Sequence, residues 1–305
     1  MNIDNILKNN NIPEPARILI AKLLSGEEWQ DFVKKTKCNV NIATDNPIIT
    51  LGLNYFLQNY IRIPTGRIFY RARRVEKSDY AKLQYEDSDI AQTKGKTGLN
   101  GFISSEMGAP PKDKAKSGRA NKSKTSVLYL ADSPETAMCE IRPSFKDYMS
   151  VAKFRLNQDV RIIDFRKINI FEDNNILRAK RSFFIDKILD VFSLPCNNLD
   201  DKEYAPTQYI AKYIKKKGFQ GLIYPSSRNQ GKKAFNLVLF DPSMAECLDN
   251  TGVLYECTKQ KFTFENISVL PTKIKRGGFG YSTKKWEDKD ILKFSNNMRI
   301  MYHKN

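Results

Sequence analysis

The chain has 305 residues, 41% hydrophobic and 11% aromatic, and its 51 Lys+Arg outnumber its 34 Asp+Glu for a formal net charge of +17. That is a globular composition, not that of a disordered chain, and no apolar run approaches the ~20 residues of a membrane-spanning helix. One histidine, His303, stands two residues from the end of the sequence, so Ser-His-Asp, Cys-His and multi-histidine metal chemistry are all but excluded.

Five cysteines (Cys38, Cys139, Cys196, Cys247 and Cys257) are scattered and form no CxxC pair, so neither a disulfide framework nor a zinc ribbon is expected. The N-terminus shows no basic stretch followed by an apolar one, and a cytoplasmic location is the expectation. The positive charge attracts polyanions. Because it is spread along the chain, a lysine-rich solvated surface is the simpler reading, and nucleic acid is not required as a partner.

Residues 1–65 read as a helical region. Pro13-Glu14-Pro15-Ala16 starts one helix, and Leu51, Leu53, Phe56, Leu57 and Tyr60 form the stripe of another. After the Pro64-Thr65-Gly66 break, Ile68–Arg73 reads as a strand. Glu86–Thr125 reads as a long polar loop, of the kind that is often functional. Its Gly95-Lys96-Thr97 is not a P-loop, because Ile90 stands where the first glycine is needed.

Val127–Ala131 is a strand followed at once by a helix. Ser133 suits its N-cap, Pro134 its first position, and Pro143 ends it by about Arg142. Strands are predicted over Ser150–Phe154 and Val160–Phe165, and a helix over Arg181–Phe192. Another helix covers 206–217, with Pro206 at its start, Lys215-Lys216-Lys217 at its end and Gly218 as its left-handed cap. Leu222-Ile223-Tyr224 and Phe235–Phe240 form a hairpin or adjacent strands. Residues 251–305 read as an appendage with a few short elements, among them the Arg276-Gly277-Gly278-Phe279-Gly280 loop.

Four local features carry candidate chemistry. In Tyr70-Arg71-Ala72-Arg73 the two arginines leave one side of a strand, which is expensive unless they are paired or hold an anion. In Gly118-Arg119-Ala120-Asn121, glycine lets the backbone approach a ligand and Arg119 offers a planar fork. Glu140 borders the apolar stripe of the short helix, either ion-paired, with Arg142 at hand, or catalytic. Pro225-Ser226-Ser227-Arg228 follows a strand end, where a hydroxyl either faces a cleft or caps a turn.

In this order, and together with Leu128-Tyr129-Leu130-Ala131-Asp132-Ser133-Pro134 and Met107-Gly108-Ala109-Pro110-Pro111, these features closely resemble the RES domain, named for its Arg, Glu and Ser. The resemblance covers roughly residues 66–245. It implies a mixed α/β (α+β) fold similar to ADP-ribosyltransferase toxins, with a mostly antiparallel sheet. The RES domain is placed at 66–250, between the helical region 1–65 and the appendage 251–305. It further implies an NAD⁺-consuming toxin of the toxin–antitoxin type, with a cognate antitoxin and a homodimer as partners. NAD⁺ is then the substrate and not a resident cofactor, inorganic phosphate is a candidate co-substrate, and no metal is called for.

On this resemblance the family arginines fall on Arg71 and Arg119, the glutamate on Glu140, and the serine on Ser226, with Ser227 adjacent. Cleavage of the nicotinamide–ribose bond passes through an oxocarbenium-like state that needs neither metal nor histidine. Arg71 and Arg119 are expected to clamp the pyrophosphate, Glu140 to stabilise the ribosyl cation, Ser226 to position Glu140 or the ribose, and Tyr129 or Tyr70 to stack on nicotinamide. The alternatives are an ADP-ribosyltransferase acting on a macromolecule and a non-enzymatic basic nucleic-acid-binding protein. A sensor gated by the N-terminal region is a further reading.

Overall fold

The strands and helices that the sequence predicts from Leu51 to Phe240 have counterparts in the structure, which adds short strands at 61–63, 83–85, 99–102 and 245–247. The computed structural model describes residues 26–76, 78–79, 83–85, 99–166, 176–193, 201–229 and 234–259, within the compact unit Ile3–Thr258 save for Lys259. The helix expected at Pro13, the Gly95-Lys96-Thr97 stretch, the Arg276 loop, Cys196 and His303 lie outside the described residues.

Helix α1 (Glu27–Lys37) opens on two glutamates and closes on lysines, which suits its dipole, and it buries Phe32. A π-helical turn, Ile48–Leu53, runs directly into α2 (Asn54–Gln58) and buries Ile48, Ile49 and Leu53. Then come β1 (Ile61–Ile63) and β2 (Ile68–Val75). A small antiparallel pair follows, β3 (Leu83–Tyr85) and β4 (Leu99–Phe102). Strand β4 interrupts the polar loop expected from Glu86 to Thr125, and beyond it residues 103–125 hold only two short 3-10 helical turns. Phe102 and Met107, apolar residues at no regular period in a polar stretch, are fully buried.

Strand β5 (Leu128–Ala131) leads into α3 (Pro134–Glu140), and Ser133 Oγ caps that helix by accepting from Thr136 N at 3.1 Å. Arg142, just beyond it, takes φ +52° immediately before Pro143. The remaining elements are β6 (Tyr148–Leu156), β7 (Val160–Asp164), α4 (Ile176–Ser193), α5 (Ala205–Lys216), β8 (Gly221–Pro225), β9 (Phe235–Leu239), β10 (Ala245–Cys247) and β11 (Val253–Glu256). Gly218 takes φ +84°, the left-handed cap that ends α5.

Nine strands form one sheet in the order β1-β7-β8-β9-β5-β2-β6-β10, with β11 also on β6. Only β7 and β8 run parallel; every other pairing is antiparallel, as expected. The expected C-terminal appendage therefore begins inside the sheet, where Val253 stands opposite Val151.

One face of the sheet carries Phe69, Leu128, Leu130, Phe154, Leu237 and Leu239 in a core closed by Phe102 and Met107. On the other face, Ile163, Leu222 and Val238 meet α4 and α5, together with Phe32, Leu53 and Phe56 from the N-terminal helices. Phe165 stacks on Phe192 at 4.5 Å and meets Phe56 edge-on at 4.7 Å. The N-terminal helices thus share a core with the sheet. Phe56→Ala is expected to cost about 3 kcal/mol, from lost burial plus a residual cavity. Urea unfolding would measure it, and a loss under 1 kcal/mol would mean that this contact carries little. No described helix is long and apolar enough to cross a membrane.

Candidate active site

On the face that carries the helices, the apolar layer is interrupted. The large core ends near Val238 and Tyr224, and a small second cluster begins at Ala72, Ala131 and Ala137, under α3. Strand alternation aims Tyr70, Tyr129, Tyr224 and Asn236 at this gap. The register confirms the grouping, since Ala131 and Tyr224 both stand opposite Asn236. The gap is a cleft of about 330 Å³, within the roughly 300–1,000 Å³ range of small-molecule sites.

Glu140, the last residue of α3, enters this cleft from above the sheet. Its Oε1 accepts from Ser226 Oγ at 2.7 Å and from Asn236 Nδ2 at 2.7 Å. The serine proton has only one place to go, because Ser226 Oγ itself accepts from the backbone N–H of Arg228 (3.2 Å) and of Asn229 (3.0 Å). Among the described residues Glu140 makes no ion pair and its Oε2 accepts no hydrogen bond. The alternative in which Arg142 neutralises Glu140 is thus not what the geometry shows. The same contacts separate the two serines. Ser226 holds Glu140, while Ser227 lines the cleft.

Arg119 lines the same cleft. It stands in the turn Gly118–Asn121, closed by Gly118 N to Asn121 O at 2.9 Å. The Tyr129 hydroxyl accepts from Ala120 N (2.9 Å) and donates to Asn121 Oδ1 (2.8 Å). A Cβ at Gly118 would lie 2.7 Å from that hydroxyl, so glycine is needed for the close approach. The Arg119 guanidinium lies 5.5 Å from the Tyr224 ring centroid and 6.0 Å from that of Tyr204, and it donates to Val191 O at the end of α4. Burial pushes the Tyr129 and Tyr224 hydroxyls well above the usual tyrosine range, so both stay protonated donors.

Arg71 borders the cleft, but its side chain leaves the other face of β2, as does that of Arg73. The Arg71 guanidinium donates to the carbonyls of Met107 and Gly108. Arg73 donates to Glu106 O and lies 4.7 Å from the Phe102 ring centroid. Burial, then the neighbouring Arg73 charge, lowers the Arg71 pKa to about 10. The two inward arginines of the strand therefore hold main-chain carbonyls of the 106–108 segment. The structure brings Glu140, Arg119, Tyr129 and Tyr70 to one cleft, places Ser226 against Glu140, and commits the Arg71 side chain to the carbonyls of Met107 and Gly108.

Two further arginines, Arg142 and Arg228, face the cleft. Burial and the nearby Arg142 charge lower the Arg228 pKa. Sequence reasoning offered Arg142 only as an ion-pair partner for Glu140, and it assigned no role to Arg228, Tyr204 or Asn236. Asn236 carried a usable signal, as a lone amide within the apolar strand Phe235–Leu239. A buried amide needs partners, and Glu140 is one of them. Among the described residues no group of three His, Cys, Asp or Glu could hold a metal ion.

In this mixed α/β fold, one carboxylate, Glu140, shares with several arginines a cleft on one face of a mostly antiparallel sheet. The sequence matches the RES domain over residues 96–262, more than half of the chain, and the chain belongs to that family. Its structure is similar to the crystal structure of the M. tuberculosis MbcT–MbcA toxin–antitoxin complex. The similarity covers 71% of this chain and 94% of that chain, at 12% identity and a TM-score of 0.38. No curated protein matches the chain by sequence.

Proposed function

We propose that the chain is a RES-type enzyme that degrades NAD⁺ by cleaving the nicotinamide–ribose bond. One observation carries this reading. Glu140 lines a cleft rimmed by arginines, with Oε1 fixed by two donors and no hydrogen bond to Oε2 among the described residues. A fixed anion beside a cationic leaving group stabilises positive charge as it develops on the ribose. The bond from ribose C1 to the nicotinamide nitrogen breaks, nicotinamide leaves as a neutral ring with the electron pair, and an acceptor oxygen closes on C1.

Arg119 supplies charge-assisted hydrogen bonds to the diphosphate. Tyr70 and Tyr129 offer ring surface to the planar groups. Arg142 and Arg228 draw an anionic acceptor, which favours inorganic phosphate over water. Family resemblance supports a toxin role, a cognate antitoxin and a homodimer.

Phosphorus NMR of NAD⁺ with purified protein tests the reading. A new ADP-ribose-1″-phosphate signal that depends on added phosphate marks a phosphorylase, and ADP-ribose regardless of phosphate marks a hydrolase. Intact NAD⁺ in both samples would overturn the reading. Arg119→Ala is expected to raise KM for NAD⁺ by about 10-fold or more, at least as much as it lowers kcat, because the diphosphate is held in ground and transition states alike. Steady-state kinetics would check this, and an unchanged KM removes Arg119 from the diphosphate.

A further inference from the structure

Arg119 is only as well placed as the four-residue turn that carries it. The two carbonyls that close that turn, and the hydroxyl just before it, converge on one side chain from α5. Gln208, 7% exposed, directs Nε2 at Gly118 O (2.9 Å), Asn121 O (2.9 Å) and Ser117 Oγ (2.8 Å). Two of these three are carbonyls, which only accept, so the amide must present its –NH₂ to them.

The two ends of the turn are therefore tied to one amide, and its middle is tied by Ala120 N to the Tyr129 hydroxyl. The part left to reach the cleft is the Arg119 side chain. Gln208 itself sits on a braced helix. Its neighbour Tyr209 meets Phe32 of α1 edge-on at 5.6 Å, and Ile210, Ala211 and Ile214 are buried against the sheet.

We propose that Gln208 is a positioning residue that sets the aim of Arg119. The substrate side of this claim rests on the reading of Arg119 as the diphosphate ligand. The claim about the turn itself does not.

Gln208→Met keeps the length of the side chain and removes its donors. KM for NAD⁺ is then expected to rise about 10-fold while kcat changes less than about 3-fold, the signature of lost uniform binding. In an Arg119→Ala background the same change should add little, because the two residues act as one unit. Hydrogen exchange on the protein alone should show faster exchange at the Gly118 and Ala120 amides, with β5 and α3 unchanged.

Gln208→Asn, which keeps the amide but shortens its reach, should give the same pattern and serves if Gln208→Met does not fold. An active enzyme with unchanged KM, or a full penalty on top of Arg119→Ala, overturns the proposal. If the wild-type protein leaves NAD⁺ intact, the functional reading fails instead. Exchange at Gly118–Asn121 then decides the role of Gln208 alone, and unchanged exchange there overturns it.

Discussion

Glu140→Gln is expected to lower kcat for NAD⁺ cleavage by about 10³-fold and to leave the fold intact. The exchange is nearly isosteric, and the amide oxygen can still accept from Ser226 Oγ and Asn236 Nδ2. Only the charge is lost, and the charge is what a developing ribosyl cation feels. The melting temperature should hold within a few degrees, because among the described residues Glu140 makes no ion pair for the substitution to break. KM should change little if the Arg119 side of the cleft binds the diphosphate independently. Turnover, nicotinamide release and thermal unfolding would be measured on one preparation. Wild-type turnover with a lowered melting temperature would make Glu140 a structural carboxylate and nothing more.

Much of this site was legible because its parts carry local signals. Ser133 and Pro134 announce the start of α3, Pro143 bounds its end, and Glu140 is thereby fixed on the last turn of a short helix. The alternation of Tyr70-Arg71-Ala72-Arg73 correctly separates the arginines from Ala72. What alternation could not supply is the identity of the partners. Arg71 holds carbonyls of Met107 and Gly108 from a segment that the sequence presents as loop. The buried Phe102 and Met107 in that segment lack the periodicity that would have revealed them. A single apolar residue every few positions is not a pattern until its partners are known.

The residues that sequence reasoning passed over share one property: their role depends on register between distant strands or helices. Asn236 reaches Glu140 because β9 pairs β5 with Ala131 opposite Asn236, and a one-residue slip would turn the amide to the other face. Gln208 reaches the Arg119 turn because α5 crosses back over it, a contact spanning roughly 90 positions of chain. The N-terminal helices, read as a separate region, share the core that seats α4 and α5. Those two helices in turn hold Arg119, through Val191 O and through Gln208.

That dependence leads to the second large effect. Ser226→Ala combined with Asn236→Ala removes both donors from Glu140 Oε1 and keeps the charge. Each single change is expected to reduce kcat about 10-fold, since the remaining donor still fixes one oxygen. The pair should fall by roughly 10²–10³-fold, near the loss for Glu140→Gln, because an unanchored carboxylate turns away from the ribose and takes up water. The Asn236 change is also a stability test, since this 3%-exposed amide lies between β5 and β8. Unfolding at matched temperature separates that cost from the catalytic one. In a Glu140→Gln background the double change should add almost nothing to the rate loss, as expected for groups that act only through the carboxylate. A further tenfold loss there would mean that Ser226 or Asn236 touches NAD⁺ directly, and the role of a positioning pair would have to be given up.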